Sequence, residues 1–108
     1  MTDTEELVAD FEALVNIPAE ELEEWLATRE SRSVGAEGPD GESVGHASGR
    51  RIVELLRKDP GDYDAADLEH MRKVRSYIKR HLAQRPDGDV SRTRWRYSLL
   101  NWGHDPLR

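Results

Sequence analysis

Cysteine is absent from the chain, which excludes a disulfide framework, a thiolate metal site and a thiol nucleophile. Stability must come from packed apolar side chains instead. Aromatic residues are few, with one phenylalanine, three tyrosines and three tryptophans in 108 residues, so only a modest core can be filled. No apolar run approaches the roughly 18 residues that a membrane helix needs. The acidic stretch Met1-Thr2-Asp3-Thr4-Glu5-Glu6 also lacks the basic and apolar regions of a secretory signal. The expectation is a cytoplasmic chain without membrane association. Basic residues are scarce in one part only: residues 1–45 hold Arg29 and Arg32 against thirteen acids.

The remainder has the opposite sign. Residues 46–108 carry fourteen basic side chains against nine acidic ones, a polarity that the formal net charge of -6 conceals. Thirteen of the sixteen basic residues are arginine, whose planar guanidinium pairs well with carboxylate and phosphate. Two arrangements fit this pattern. Either the acidic half neutralises the basic half within one molecule, or the basic face is left for a polyanion while the acidic face repels non-specific contact. The acidic face could equally meet a basic protein partner, or the two faces could pair between subunits.

Apolar spacing predicts an all-α, compact single domain of four to five helices with a long Gly-rich loop. Leu7, Phe11, Leu14 and Val15 mark a first amphipathic helix, and Leu22, Trp25 and Leu26 mark a second that opens at Pro18. These two should form an acidic antiparallel hairpin over residues 1–30. Residues 31–49 hold five of the eight glycines and read as the loop, after which residues 50–108 form a basic helical part. There a third helix starts near Ser48, carries Ile52, Val53, Leu55 and Leu56, and stops at Asp59-Pro60-Gly61. Asp64 caps a fourth helix with Leu68, Met71, Val74, Ile78 and Leu82 on one side. A fifth, capped by Ser91, places Trp95, Leu99 and Trp102 at helical spacing.

On the fourth helix Arg72, Lys73, Lys79 and Arg80 fall within about 120° of arc opposite the apolar stripe, a face suited to tracking a phosphate backbone. Arg75 falls on the apolar side and should meet a carboxylate of the acidic helices. Two expected helix starts carry cations where the helix dipole favours anions: Arg50 and Arg51 after Ser48-Gly49, and Arg92 and Arg94 after Ser91. A phosphate on Ser48 and Gly49 would satisfy the first. Arg92, Arg94 and Arg96 alternate with Thr93, Trp95 and Tyr97, placing cations beside aromatic rings that can stack on bases, although core packing is the better role for Trp95 and Trp102.

Enzymatic readings are poor. His46, His70, His81 and His104 lack the spacing of a helical zinc site, and Asp87-Gly88-Asp89-Val90-Ser91 departs from a calcium loop at its sixth and twelfth positions. His104-Asp105 has no activated nucleophile at a recognisable spacing and reads as a structural cap. No catalytic residue, metal or cofactor is expected.

The strings Glu42 to Val53, His70-Met71-Arg72-Lys73-Val74, Tyr77 to Pro86 and Asn101-Trp102-Gly103-His104-Asp105-Pro106 together resemble a small family, domain of unknown function thirty-one forty. Some of its members are labelled DNA-binding. The resemblance covers nearly the whole chain and implies DNA as a partner, with contacts at the matched Arg50, Arg51, Arg72, Lys73, Lys79, Arg80 and Arg85. It brings no catalytic residues. The resulting expectation is a non-enzymatic DNA-binding protein that contacts phosphates through a basic helical face; the alternative is a protein-interaction or regulatory adaptor.

Overall fold

Nearly every helix begins where a short polar side chain accepts a bond from an exposed amide. The computed structural model describes residues 2–35 and 41–108. Thr2 Oγ1 accepts from Glu5 N to open α1 (Asp3–Leu14), and Thr28 caps the single turn of α3 (Arg29–Arg32). Between them Pro18 precedes α2 (Ala19–Leu26) with no side-chain cap. Ser43 Oγ accepts from His46 N at 3.0 Å to open α4 (Val44–Arg57). A 3-10 turn at Pro60–Asp62 follows. Asp64 and Asp67 then form a reciprocal capping box for α5 (Ala65–Leu82), with bonds of 2.8 and 3.0 Å. Thr93, two residues beyond the expected Ser91, caps α6 (Arg94–Asn101). The architecture is all-α, and its Cα radius of gyration of 13.5 Å suits one globule of this length.

Two expectations are corrected by the packing. The acidic helices do not form a hairpin with each other: α1 lies on α5 and α2 lies on α4. The reason is the corner between them. Val15 and Ile17 are buried there, Ile17 N donates to Gly103 O at 3.3 Å, and Asn16 exchanges two bonds with the Asp105 backbone at 2.7 and 3.0 Å. The corner is tied to the C-terminal segment, so α1 and α2 diverge over the basic half.

The second correction concerns the Gly-rich loop. Residues 29–32 and 44–49 are helical; residues 36–40 lie outside the described residues. Gly45, Ser48 and Gly49 occupy the buried face of α4 in line with Ile52, an i, i+3, i+4, i+7 stripe of small residues. Glycine within a helix costs about 1 kcal/mol relative to alanine. Here close approach offsets it: a Cβ on Gly49 would stand 2.5 Å from the Asn101 carbonyl oxygen and 2.6 Å from Leu26 Cδ2.

The core gathers Leu7 and Phe11 of α1, Leu22 and Leu26 of α2, Ile52 and Leu55 of α4, Met71, Val74 and Ile78 of α5, and Leu99 of α6. Burying a leucine- or phenylalanine-sized side chain contributes about 1.5–3 kcal/mol. One polar knot crosses this core. Asn101 Oδ1 accepts from Trp25 Nε1 at 2.7 Å and from Ser31 Oγ at 2.5 Å, while its Nδ2 donates to Ser31 O at 2.9 Å. After α6, Gly103 at φ +81 closes the helix with His104 N on Leu99 O and Gly103 N on Leu100 O, both 3.0 Å. His104 Nδ1 meets Leu14 O at 2.6 Å, so His104 and Asp105 join the two ends of the fold.

Candidate nucleic-acid interface

The capping box at Asp64 sets the register of α5, and its apolar stripe fixes which side faces inward. Met71, Val74 and Ile78 are buried, so Arg72, Lys73, Lys79 and Arg80 stand exposed on the opposite side. Their charges are little engaged. Arg72 reaches Glu69 only at 3.7 Å and Arg80 Nε touches its own helix at Ser76 O. Lys73 and Lys79 make no ion pair among the described residues. The four expected contacts on α5 thus share one exposed face.

The other candidates divide differently. Arg51 Nη2 lies 2.6 Å from Asp67 Oδ1, and Lys58 Nζ lies 2.6 Å from Asp67 Oδ2. Asp67 is 1% exposed, and Lys58, the Asp64 backbone N–H and Arg51 hold its carboxyl below the ordinary value; Lys58 is raised in return. Arg50 grips both oxygens of Glu42, which also bonds His46 Nδ1, and these partners lower Glu42 to about 2. Arg96 donates to both oxygens of Asp105 at 3.2 and 3.0 Å and to Ser91 O at 2.9 Å. Burial alone would raise Asp105, yet Arg96, the Leu107 N–H and Arg108 bring it below the usual range. Arg50, Arg51 and Arg96 therefore hold the fold's own carboxylates.

Arg85 sits 5.5 Å over the Trp95 ring, and Arg94 Nη2 donates to Ser33 O at 3.0 Å. Arg92 is exposed just before the α6 cap. The expected anion cradle at Ser48 and Gly49 is overturned, because α4 starts at Val44 and both residues lie buried inside it. Their amides belong to the helix interior rather than to its open first turn. Ser48 Oγ instead meets His70 Nε2 at 2.9 Å. Burial, together with Arg51 and Lys73, lowers the His70 pKa.

Sequence reasoning missed a stack of rings along α5. His70 lies parallel to Trp102 at 6.4 Å, Trp102 on Tyr77 at 4.2 Å, Tyr77 on His81 at 5.1 Å and His81 on Trp95 at 5.9 Å. The i, i+7, i+11 spacing of His70, Tyr77 and His81 is its visible trace.

A family model described as a protein of unknown function, DUF3140, matches residues 10–100. The chain belongs to this family. No curated protein and no solved structure matches it. The matched span includes all of α2 to α5, the last five residues of α1 and nearly all of α6, so the exposed α5 cations, the small-residue stripe of α4 and every ring of the stack except Trp102 fall inside the DUF3140 region. No helix among the described residues is long and apolar enough to cross a membrane.

Proposed function

We propose that this chain is a non-enzymatic DNA-binding protein of the cytoplasm that contacts phosphates through α5. One observation carries the reading: Arg72, Lys73, Lys79 and Arg80 share an exposed face, while Arg50, Arg51 and Arg96 are held by internal carboxylates. Cations left in solvent beside a rigid helix neutralise phosphates by releasing counterions, a term that depends on salt and not on sequence. Arg92 adds a further exposed cation.

Fluorescence anisotropy of a labelled duplex at several salt concentrations tests this. Saturable binding should weaken steeply with salt, and an Arg72→Ala/Lys73→Ala/Arg80→Ala variant should flatten the log–log slope by roughly 2–3. All three positions are exposed, so the fold should survive. Absence of saturable binding at low salt would reject the proposal.

A second reading rests on the opposite charge. Glu5, Glu6, Glu12, Glu20 and Glu24 are exposed and make no ion pair among the described residues, which favours a protein-interaction module for a basic partner or a second copy of the chain. Salt-sensitive self-association in sedimentation, with no DNA affinity, would select it.

A further inference from the structure

A groove of 420 Å³ lies beside the α5 cations, between that helix, the start of α4 and the end of α6. Gly45, Tyr77 and Trp102 line it together with Lys73 and Arg80, and no carboxylate lines it among the described residues. Gly45 leaves room here, since a Cβ at that position would approach Trp102 Nε1 to 3.1 Å and crowd the indole edge.

The three tryptophans differ at this edge. Trp25 Nε1 donates to Asn101 and Trp95 Nε1 donates to His81 O, both at 2.7 Å. The Trp102 indole N–H has no acceptor among the described residues. Among the described residues no buried side-chain polar atom lacks a partner, so the indole N–H is reached by solvent. Stacking on Tyr77 and His70 fixes the ring, leaving an oriented donor below two cations.

We infer that this groove takes an unpaired base of a single nucleic-acid strand, with Lys73 and Arg80 on the flanking phosphates and the Trp102 N–H on a base carbonyl. The inference rests on the phosphate-contact reading of α5 and adds the form of nucleic acid preferred. Lys73 and Arg80 are seven residues apart, about 10 Å along the helix, so a strand touching both passes over the groove mouth. The faces of Tyr77 and Trp102 are taken up by the stack, so a flat base would pack its rim against their ring edges and turn its carbonyl acceptor to the one indole N–H donor. Bases inside a duplex keep their edges paired and stacked and cannot enter without being flipped out. Thymine, with two carbonyl oxygens, is the natural probe.

The test compares a labelled oligothymidylate, a duplex of equal length and a polyglutamate peptide in the same anisotropy assay. The expected order is oligothymidylate tightest, then duplex, with polyglutamate weakest. Trp102→Phe, which keeps an aromatic ring but removes the N–H, and Ser76→Leu, which fills the groove from its exposed rim, should each weaken oligothymidylate by about fivefold or more and leave duplex affinity within about twofold. Should Trp102→Phe fail to fold by circular dichroism, photocrosslinking of an iodouridine-substituted strand to the unaltered protein decides: adducts on Trp102 or Tyr77 support the groove, and adducts elsewhere only overturn it. Equal affinity for strand and duplex overturns the groove but leaves phosphate contact standing. Tighter polyglutamate binding makes the site a peptide groove and overturns the inference, and loss of binding to both nucleic acids removes it together with the reading beneath it.

Discussion

Arg75 Nη1 donates to Asp10 Oδ2 at 3.1 Å, so the basic helix α5 and the acidic helix α1 are joined by one ion pair at the edge of a shared apolar seam. Both side chains are about a third exposed, at 31% and 34%. A pair in that setting contributes at most about 1 kcal/mol. Arg75→Met should therefore change unfolding free energy in urea by less than about 1 kcal/mol and leave duplex affinity unaltered. Phe11→Ala, which empties the same seam, should cost about 3–5 kcal/mol. Comparable losses in the two variants would mean that charge, and not burial, holds α1 in place.

Gly49→Ala should destabilise by about 2–3 kcal/mol, because the new methyl group meets backbone at Asn101 and cannot be accommodated by a rotamer change. Gly61→Ala is the matched control. Its Cβ would meet nothing closer than Asp59 Oδ1 at 3.5 Å, and a smaller unfolded ensemble should leave stability level or slightly improved. Thermal melts of the two variants read the difference directly.

Arg96→Ala separates structural from ligand-facing arginines. Its partner Asp105 is 6% exposed, so removing the guanidinium leaves a buried carboxylate with only the Leu107 N–H and Arg108 at 3.5 Å, and should cost about 3 kcal/mol or somewhat less. At a temperature where the variant remains folded, its affinity for duplex and the salt slope should match the parent. A flattened slope would place Arg96 on the nucleic acid.

Acid should act in two stages. Burial lowers the His70 and His81 pKa values in the folded chain below the ordinary 6.5, so the unfolded chain binds more protons and stability starts to fall as pH drops below about 6.5. Glu42 is lowered from 4.5 to about 2, and Asp67 and Asp105 are lowered as well. Their contribution is fully present above about 4.5 and is lost as pH falls towards 2. Urea midpoints measured across this range should show a shallow decline and then a steeper one. A His70→Gln/His81→Gln variant should lose only the shallow part.

The helix stripes of α1, α2 and α5 were legible because each buries large apolar residues at regular spacing. Arg75 was legible for the same reason: a lone cation on an apolar stripe needs a carboxylate, and Asp10 supplies it. The start of α4 was hidden because glycine ordinarily interrupts helices, whereas Gly45 and Gly49 serve contact with Trp102, Asn101 and Leu26. The same residue type at the same density has two physical uses, and only the partner helix distinguishes them. Of the basic candidates, the α5 set followed from the helical wheel. Arg50, Arg51 and Arg96 did not, because Glu42, Asp67 and Asp105 come to them from up to sixteen residues away, through the path of the chain.

The corner at Asn16 also governs how the molecule is made. Phe11 has no core to enter until α5 has been synthesised, and Asn16 waits for Asp105, so the first helices leave the ribosome long before their partners. Burial of α1 and of the corner must then follow synthesis of α5 and of Asp105, whereas α2 meets its partner α4 earlier. A protease present during synthesis would meet residues 3–17 as accessible chain, whereas in the finished protein Phe11, Val15 and Ile17 are buried.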